Sequence, residues 1–188
     1  MTEDEQNEKR LDVSIQIRNL EIDLFWKRSL FFWGFIASAF IGYAALRNQQ
    51  SDLAIVVACF GMVCSCAWAL LNRGSKYWQE NWEIKVERFE TAVTGILFGK
   101  EEPEQLYKGP WLRARKYSVS KLAVALSDYV FVLWLAIVIS EIVRRYVPGV
   151  NPCLKQIGII VFTAFSLVYV FLLFVYGRKT PRPPSNGK

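Results

Sequence analysis

Four stretches of this chain, residues 29–46, 53–71, 122–143 and 156–177, run almost without charge, and only Asp128 and Glu141 in the third interrupt them. Each is close to the ~20 residues that a helix needs to cross a hydrocarbon layer. No water at that depth satisfies exposed N–H and C=O groups, so each run must close its backbone hydrogen bonds on itself, as a helix does. The chain is 53% hydrophobic yet 21% charged, and its charges gather between the runs. The expected fold is therefore all-α, an integral membrane protein with four transmembrane helices and a helical layer outside the bilayer. The first run starts too far from Met1, behind too acidic a leader, to read as a cleaved signal peptide.

Lysine and arginine set the expected orientation. Residues 1–28 carry five, residues 72–121 carry ten and the tail after Tyr176 carries four, against one and three in the other two connections. The positive-inside rule puts both termini and the middle segment in the cytoplasm, N-in and C-in. The same rule accounts for the formal charge of +6 without nucleic acid as a partner, and the basic face it leaves suits anionic membrane lipid. The expected layout has five parts. These are a cytoplasmic segment 1–28 with an amphipathic helix, a transmembrane hairpin 29–71, a cytoplasmic helix and connector 72–121, a second hairpin 122–177, and a disordered tail 178–188.

The chain contains no histidine, which removes Ser–His and Cys–His catalysis and histidine metal sites. Cys59, Cys64 and Cys66 sit inside the second apolar run without paired CxxC spacing, as small buried hydrophobes, and Cys153 stands alone in the outer turn. No enzyme, metal or cofactor chemistry is expected.

The leader MTEDEQNEKR reads as polar and frayed. Beyond it Val13, Ile17, Leu20 and Leu24 form a narrow helical stripe, with Asp23 and Lys27 placed as an i,i+4 pair. Gly34, Ser38 and Gly42 recur every four residues in the first run, and Gly61 and Ser65, with Ala69, repeat the device in the second. Small residues at this spacing let helix backbones approach closely, either within the hairpin or between subunits. From residue 72 a second amphipathic helix carries Trp78, Trp82, Val86 and Phe89 on one face and Glu80, Glu83, Glu87 and Glu90 on the polar face. It is expected to project from the membrane and pack on the N-terminal helix, unless Gly74 bends it. Trp78, Trp82 and Phe89 are the candidate subunit seam, as large aromatic anchors.

Ser118 or Ser120 caps the third membrane helix. Asp128, about 9 Å into it at ~1.5 Å per residue, is costly against lipid and must face protein or water. Ser120, Ser127 and Asp128 share one side, close to Lys121. They are either a tether, to Lys121, to a neighbouring helix end or to an interfacial water, or a lumen or ion contact. Glu141 is met by Arg144 and Arg145, and the aromatic fourth helix is expected to face lipid over much of its girth.

Residues 72–83, NRGSKYWQENWE, after a paired hydrophobic hairpin, and residues 118–121, SVSK, before the third, resemble the RipA family of small bacterial membrane proteins. That resemblance implies an inner-membrane homo-oligomer, with eight subunits, and roles in stress tolerance, host association or membrane-acting defence. It implies no catalytic residues. A ring enclosing a pore or lipid, acting on permeability, is the first expected function. A non-conducting adaptor for a soluble cytoplasmic partner is the second.

Overall fold

The structure, a computed structural model, describes residues 2–95, 117–147 and 152–176. It has four helices: α1 (Glu3–Asn48), α2 (Leu53–Val93), α3 (Val119–Tyr146) and α4 (Pro152–Tyr176). All four are long and apolar enough to cross a membrane, and no strand occurs among the described residues.

The first helix departs from expectation at both ends of its leader. It begins at Glu3, because Thr2 and Glu5 form a capping box in which Thr2 N–H donates to the Glu5 carboxylate and the Thr2 hydroxyl accepts from Glu5 N–H. Glu3, Asp4 and Glu5 add negative charge at the positive end of the helix dipole. The polar leader is thus ordered helix and not frayed. Nor does the helix break where the chain turns apolar near residue 29. Residues 11–33 contain neither glycine nor proline, so nothing stops the backbone, and the amphipathic and apolar parts are one helix of 46 residues, about 69 Å long at 1.5 Å per residue. Likewise α2 runs unbroken for 41 residues through Gly74, about 62 Å.

Residues 49–52 turn the chain back. Gln50 takes a φ of 54°, the left-handed region that non-glycine residues enter rarely, and the Ser51 hydroxyl accepts from Leu53 N–H at 3.2 Å. Helices α1 and α2 then lie antiparallel along most of their length. Leu11, Phe25 and Ile36 are buried on α1, and Trp68 and Val86 on α2. Helix α3 packs antiparallel on the apolar half of α2. The Ser118 hydroxyl caps α3 by accepting Lys121 N–H at 3.4 Å.

At the centre of the three-helix part lies Trp134, with no exposed surface. Its indole stacks on Phe40 of α1 at 4.3 Å and meets Tyr43 edge-on at 6.1 Å. A Cβ on Gly61 of α2 would collide with that ring. The second small-residue stripe therefore serves the α2–α3 contact, where the hairpin reading had it face α1. Ser65 is fully buried beside it and donates back to the carbonyls of Gly61 and Met62 at 2.9 Å each. On α1 the stripe divides. Gly42 lies against Val57 of α2, 3.7 Å from its ideal Cβ position, whereas Gly34 has nothing within 4 Å and Ser38 is exposed.

Helix α4 touches the rest through α3. Tyr169 Oη donates to the Ala125 carbonyl at 2.7 Å, Tyr129 and Ser166 share a hydrogen bond at 2.9 Å, and Tyr129 lies among Phe162, Phe165 and Tyr169. None of its described side chains is buried.

Candidate functional site

Two polar clamps close the ends of the apolar three-helix part, and a basic groove lies beyond the first of them. The first clamp forms where α2 ends its apolar run. Asn72, 2% exposed, donates through Nδ2 to Ser127 Oγ at 3.1 Å and to the Ala123 carbonyl at 3.3 Å. Its Oδ1 accepts from Ser29 Oγ at 3.5 Å, and Ser29 in turn accepts from Trp68 Nε1 at 3.3 Å. One asparagine thereby ties α1, α2 and α3 together. Next to it Arg73 grips Asp128 with two hydrogen bonds of 2.7 and 2.8 Å, the fork-to-carboxylate geometry that gives such pairs their direction. One turn on, Arg28 donates to Ser75 Oγ at 3.2 Å.

This arrangement revises several expectations. Of the tethers the sequence allows for Asp128, the neighbouring helix supplies it: the antiparallel packing of α2 on α3 brings Arg73 to its level, and Lys121 is not the partner. Ser127 has no exposed surface. It faces Asn72 inside the protomer, where the lumen reading needs it to face water. Ser120 is half-buried in the first turn of α3. Asn72 bridges helices and satisfies a backbone carbonyl of α3 at the end of the apolar run, and Lys76 pairs with Glu80 four residues on.

The second clamp sits near the α1–α2 turn. Glu141, 1% exposed, accepts from Tyr43 Oη at 2.8 Å, from Arg47 Nε at 2.8 Å and from Arg144 at 2.6 Å. A buried carboxylate is tolerable only with such partners. Arg145 does not join it. It reaches across to Asp52, donating to the carboxylate at 2.7 Å and the backbone carbonyl at 3.0 Å.

Outside the apolar part, α1 and α2 frame an open groove of about 750 Å³. Trp82 and Phe89 give it an aromatic side, and Lys9, Arg10, Lys85 and Arg88 line it with positive charge. The Lys85 ammonium lies 3.9 Å over the Trp82 ring, within range of a cation–π contact. Two of the three aromatic seam candidates, Trp82 and Phe89, therefore line one groove. Trp78, 50% exposed, stands nearer the first clamp with its ring turned edge-on to Tyr77. Among the described residues no group of three or more acidic, cysteine or histidine side chains converges on a point fit for a metal ion. The clamps do structural chemistry: they lock helices in register and neutralise charge.

A family model described as the Octameric membrane protein family (8xMP) matches residues 8–143. That span takes in the first clamp, all of the second except Arg144, and all of the groove except Gln6. Neither a search of curated proteins nor one of solved structures found a match.

Proposed function

The chain belongs to the octameric membrane protein family, and from that premise we propose that eight copies form a closed ring in the bacterial inner membrane. Both termini and the projecting part of the α1/α2 hairpin lie on the cytoplasmic side, where the bias of lysine and arginine puts them. The ring is a non-conducting scaffold, and its collar of hairpins docks a soluble cytoplasmic partner.

One observation carries this reading. Within the apolar part, Ser29, Asn72, Ser127 and Glu141 are all spent on contacts inside the protomer. What that part turns outward is mostly apolar, with Phe31, Phe35 and Ile41 on α1, Val56, Phe60 and Val63 on α2, and Leu135 and Ile139 on α3, and it carries no charge there beyond the clamps, only hydroxyls such as Ser38 and Ser140. An aqueous path needs a polar lining, whereas such faces suit neighbouring helices or lipid. A conducting ring is the second reading, favoured by the Arg73–Asp128 pair, whose side chains remain 51% and 32% exposed. Roles in stress tolerance, host association or defence, implied by the likeness to the RipA family, fit a scaffold that recruits a partner to the membrane.

Particle mass and symmetry in lipid nanodiscs, with ion flux from vesicles holding the same protein, test the proposal. Eight-fold particles without flux are expected. A flux that Asp128→Asn abolishes would transfer the function to the conducting ring, and a monomer or dimer would remove the ring altogether.

A further inference from the structure

The projecting hairpin has two flanks of opposite charge at one height. Helical geometry, at ~100° per residue, puts Trp82, Lys85 and Phe89 on one side of α2 and Glu80, Glu83 and Glu87 roughly 160° away. On α1, Arg10 and Val13 point one way and Glu8 and Asp12 roughly 150° away. The buried residues Leu11, Ser14 and Val86 lie between these directions, so they form the contact of the two helices. The groove confirms which flanks coincide, since Arg10 and Val13 of α1 and Trp82, Lys85 and Phe89 of α2 line it together. The opposite flank then carries Glu8, Asp12, Glu83 and Glu87. Glu8 and Asp12 are exposed, and Glu83 and Glu87 half-buried.

Resting on the ring proposed above, we infer that the acidic flank of each hairpin seats in the basic, aromatic groove of the next copy, and that this contact closes the ring outside the bilayer. The occupant is a second copy of this chain for two reasons. A cyclic ring joins unlike patches of identical subunits head to tail, and this hairpin carries both patches, of opposite sign. Rotation about a ring axis along the membrane normal also preserves height, so the two patches must lie level. They do: residues 8 and 12 stand level with Lys9, Arg10 and Val13, and residues 83 and 87 with Trp82, Lys85 and Phe89. Among the described residues no acidic side chain lines the groove, so its lining charges attract an incoming carboxylate. At physiological salt, charges are screened over roughly 8 Å, so the attraction acts at the seam itself.

The test uses full-length protein in nanodiscs and native mass measurement at about 150 mM salt. One variant reverses the groove, Lys9→Glu with Arg10→Glu and Arg88→Glu, leaving Lys85 as its one cation among the described residues, and the other reverses the flank, Glu8→Lys with Asp12→Lys and Glu87→Lys; of these residues only Glu87 is half-buried and the rest are exposed. Each variant alone is expected to lose at least ten-fold in octamer. Mixing the two restores it as an alternating ring, because each then offers the other a complementary flank; misfolded chains would not do so. Octamers that persist in either single variant, or mixtures that fail to reassemble, overturn the inference while leaving the ring intact. A wild type that is not octameric would instead remove the ring on which it rests.

Discussion

Gly61→Ala tests the packing at its tightest point. Between helices in lipid, apolar burial supplies little driving force, so close van der Waals contact and interhelical hydrogen bonds hold the bundle. Gly61 lets α2 lie directly on the Trp134 indole, and a methyl group there would enter the ring. The indole has nowhere to retreat, being fully buried between Phe40 and Tyr43. Overpacking of this kind costs about 1–3 kcal/mol, and alanine returns up to about 1 kcal/mol through its better helix propensity. The net expectation is a loss of about 1–2 kcal/mol, near ten-fold in the folded-to-unfolded ratio. Gly34→Ala is the control, since nothing lies within 4 Å of that site; it should match wild type or exceed it by up to about 1 kcal/mol through helix propensity alone. Trp134→Phe removes both the obstructing ring and an indole N–H that has no hydrogen-bond partner. Combined with Gly61→Ala it should therefore be less harmful than the two single effects added, by about 0.5 kcal/mol or more. Steric-trap unfolding in bicelles gives all these values. Strict additivity, or a Gly61→Ala protein as stable as the control, would refute the argument.

The remaining predictions use the same assay unless stated. Glu141→Gln leaves Arg47 and Arg144 facing a buried neutral group and should cost about 3–5 kcal/mol, whereas Asp128→Asn, at a partly exposed pair, should cost about 1 kcal/mol or less; the reverse order would mean that the clamps are misjudged. Asn72→Leu should cost about 1–2 kcal/mol by leaving Ser127 and Ser29 without their shared partner, and amide exchange should rise on α3 as well as α2; a rise on α2 alone would deny that it joins three helices. Gly34→Leu should leave the protomer's stability within about 0.5 kcal/mol of wild type while native mass falls below eight subunits, and an unchanged octamer would put that face of α1 against lipid.

The four spans were legible because a run of some twenty uncharged residues has few other uses. Their continuity with the amphipathic helices was not, because polarity changes at residue 29 and residue 72 while the backbone does not. A helix ends where glycine, proline or a cap ends it, and residues 11–33 hold neither glycine nor proline. Thr2 with Glu5 was a readable capping signal, passed over because the leader is so polar. The clamps were half legible. Ser29 and Asn72 sit where an apolar run meets polar chain and Ser127 a turn inside one, but which of them meet depends on the rotation of each helix. Asp128 was singled out for its depth, and a neighbouring helix was among the tethers the sequence allowed, but which residue of that helix meets it depends on the packing of α2 on α3. Trp82 and Phe89 were found as one stripe, while the cations that make the stripe a groove come in part from α1, which periodicity along α2 cannot reveal.

The unbroken backbones of α1 and α2 make the hairpin a lever. Because both backbones continue as helix across the membrane boundary, and the apolar half is fastened to α3 at the Asn72 and Glu141 clamps, a sideways push on the projecting end tilts the hairpin to the extent that its helices resist bending. A 5 Å displacement at the tip of a helix about 60 Å long is a tilt of about 5°, carried through the clamps to the far side of the bilayer. In the proposed ring, a partner that binds or leaves the collar would thus lean on the surrounding lipid, with the tilt of the hairpins as the transmitted signal.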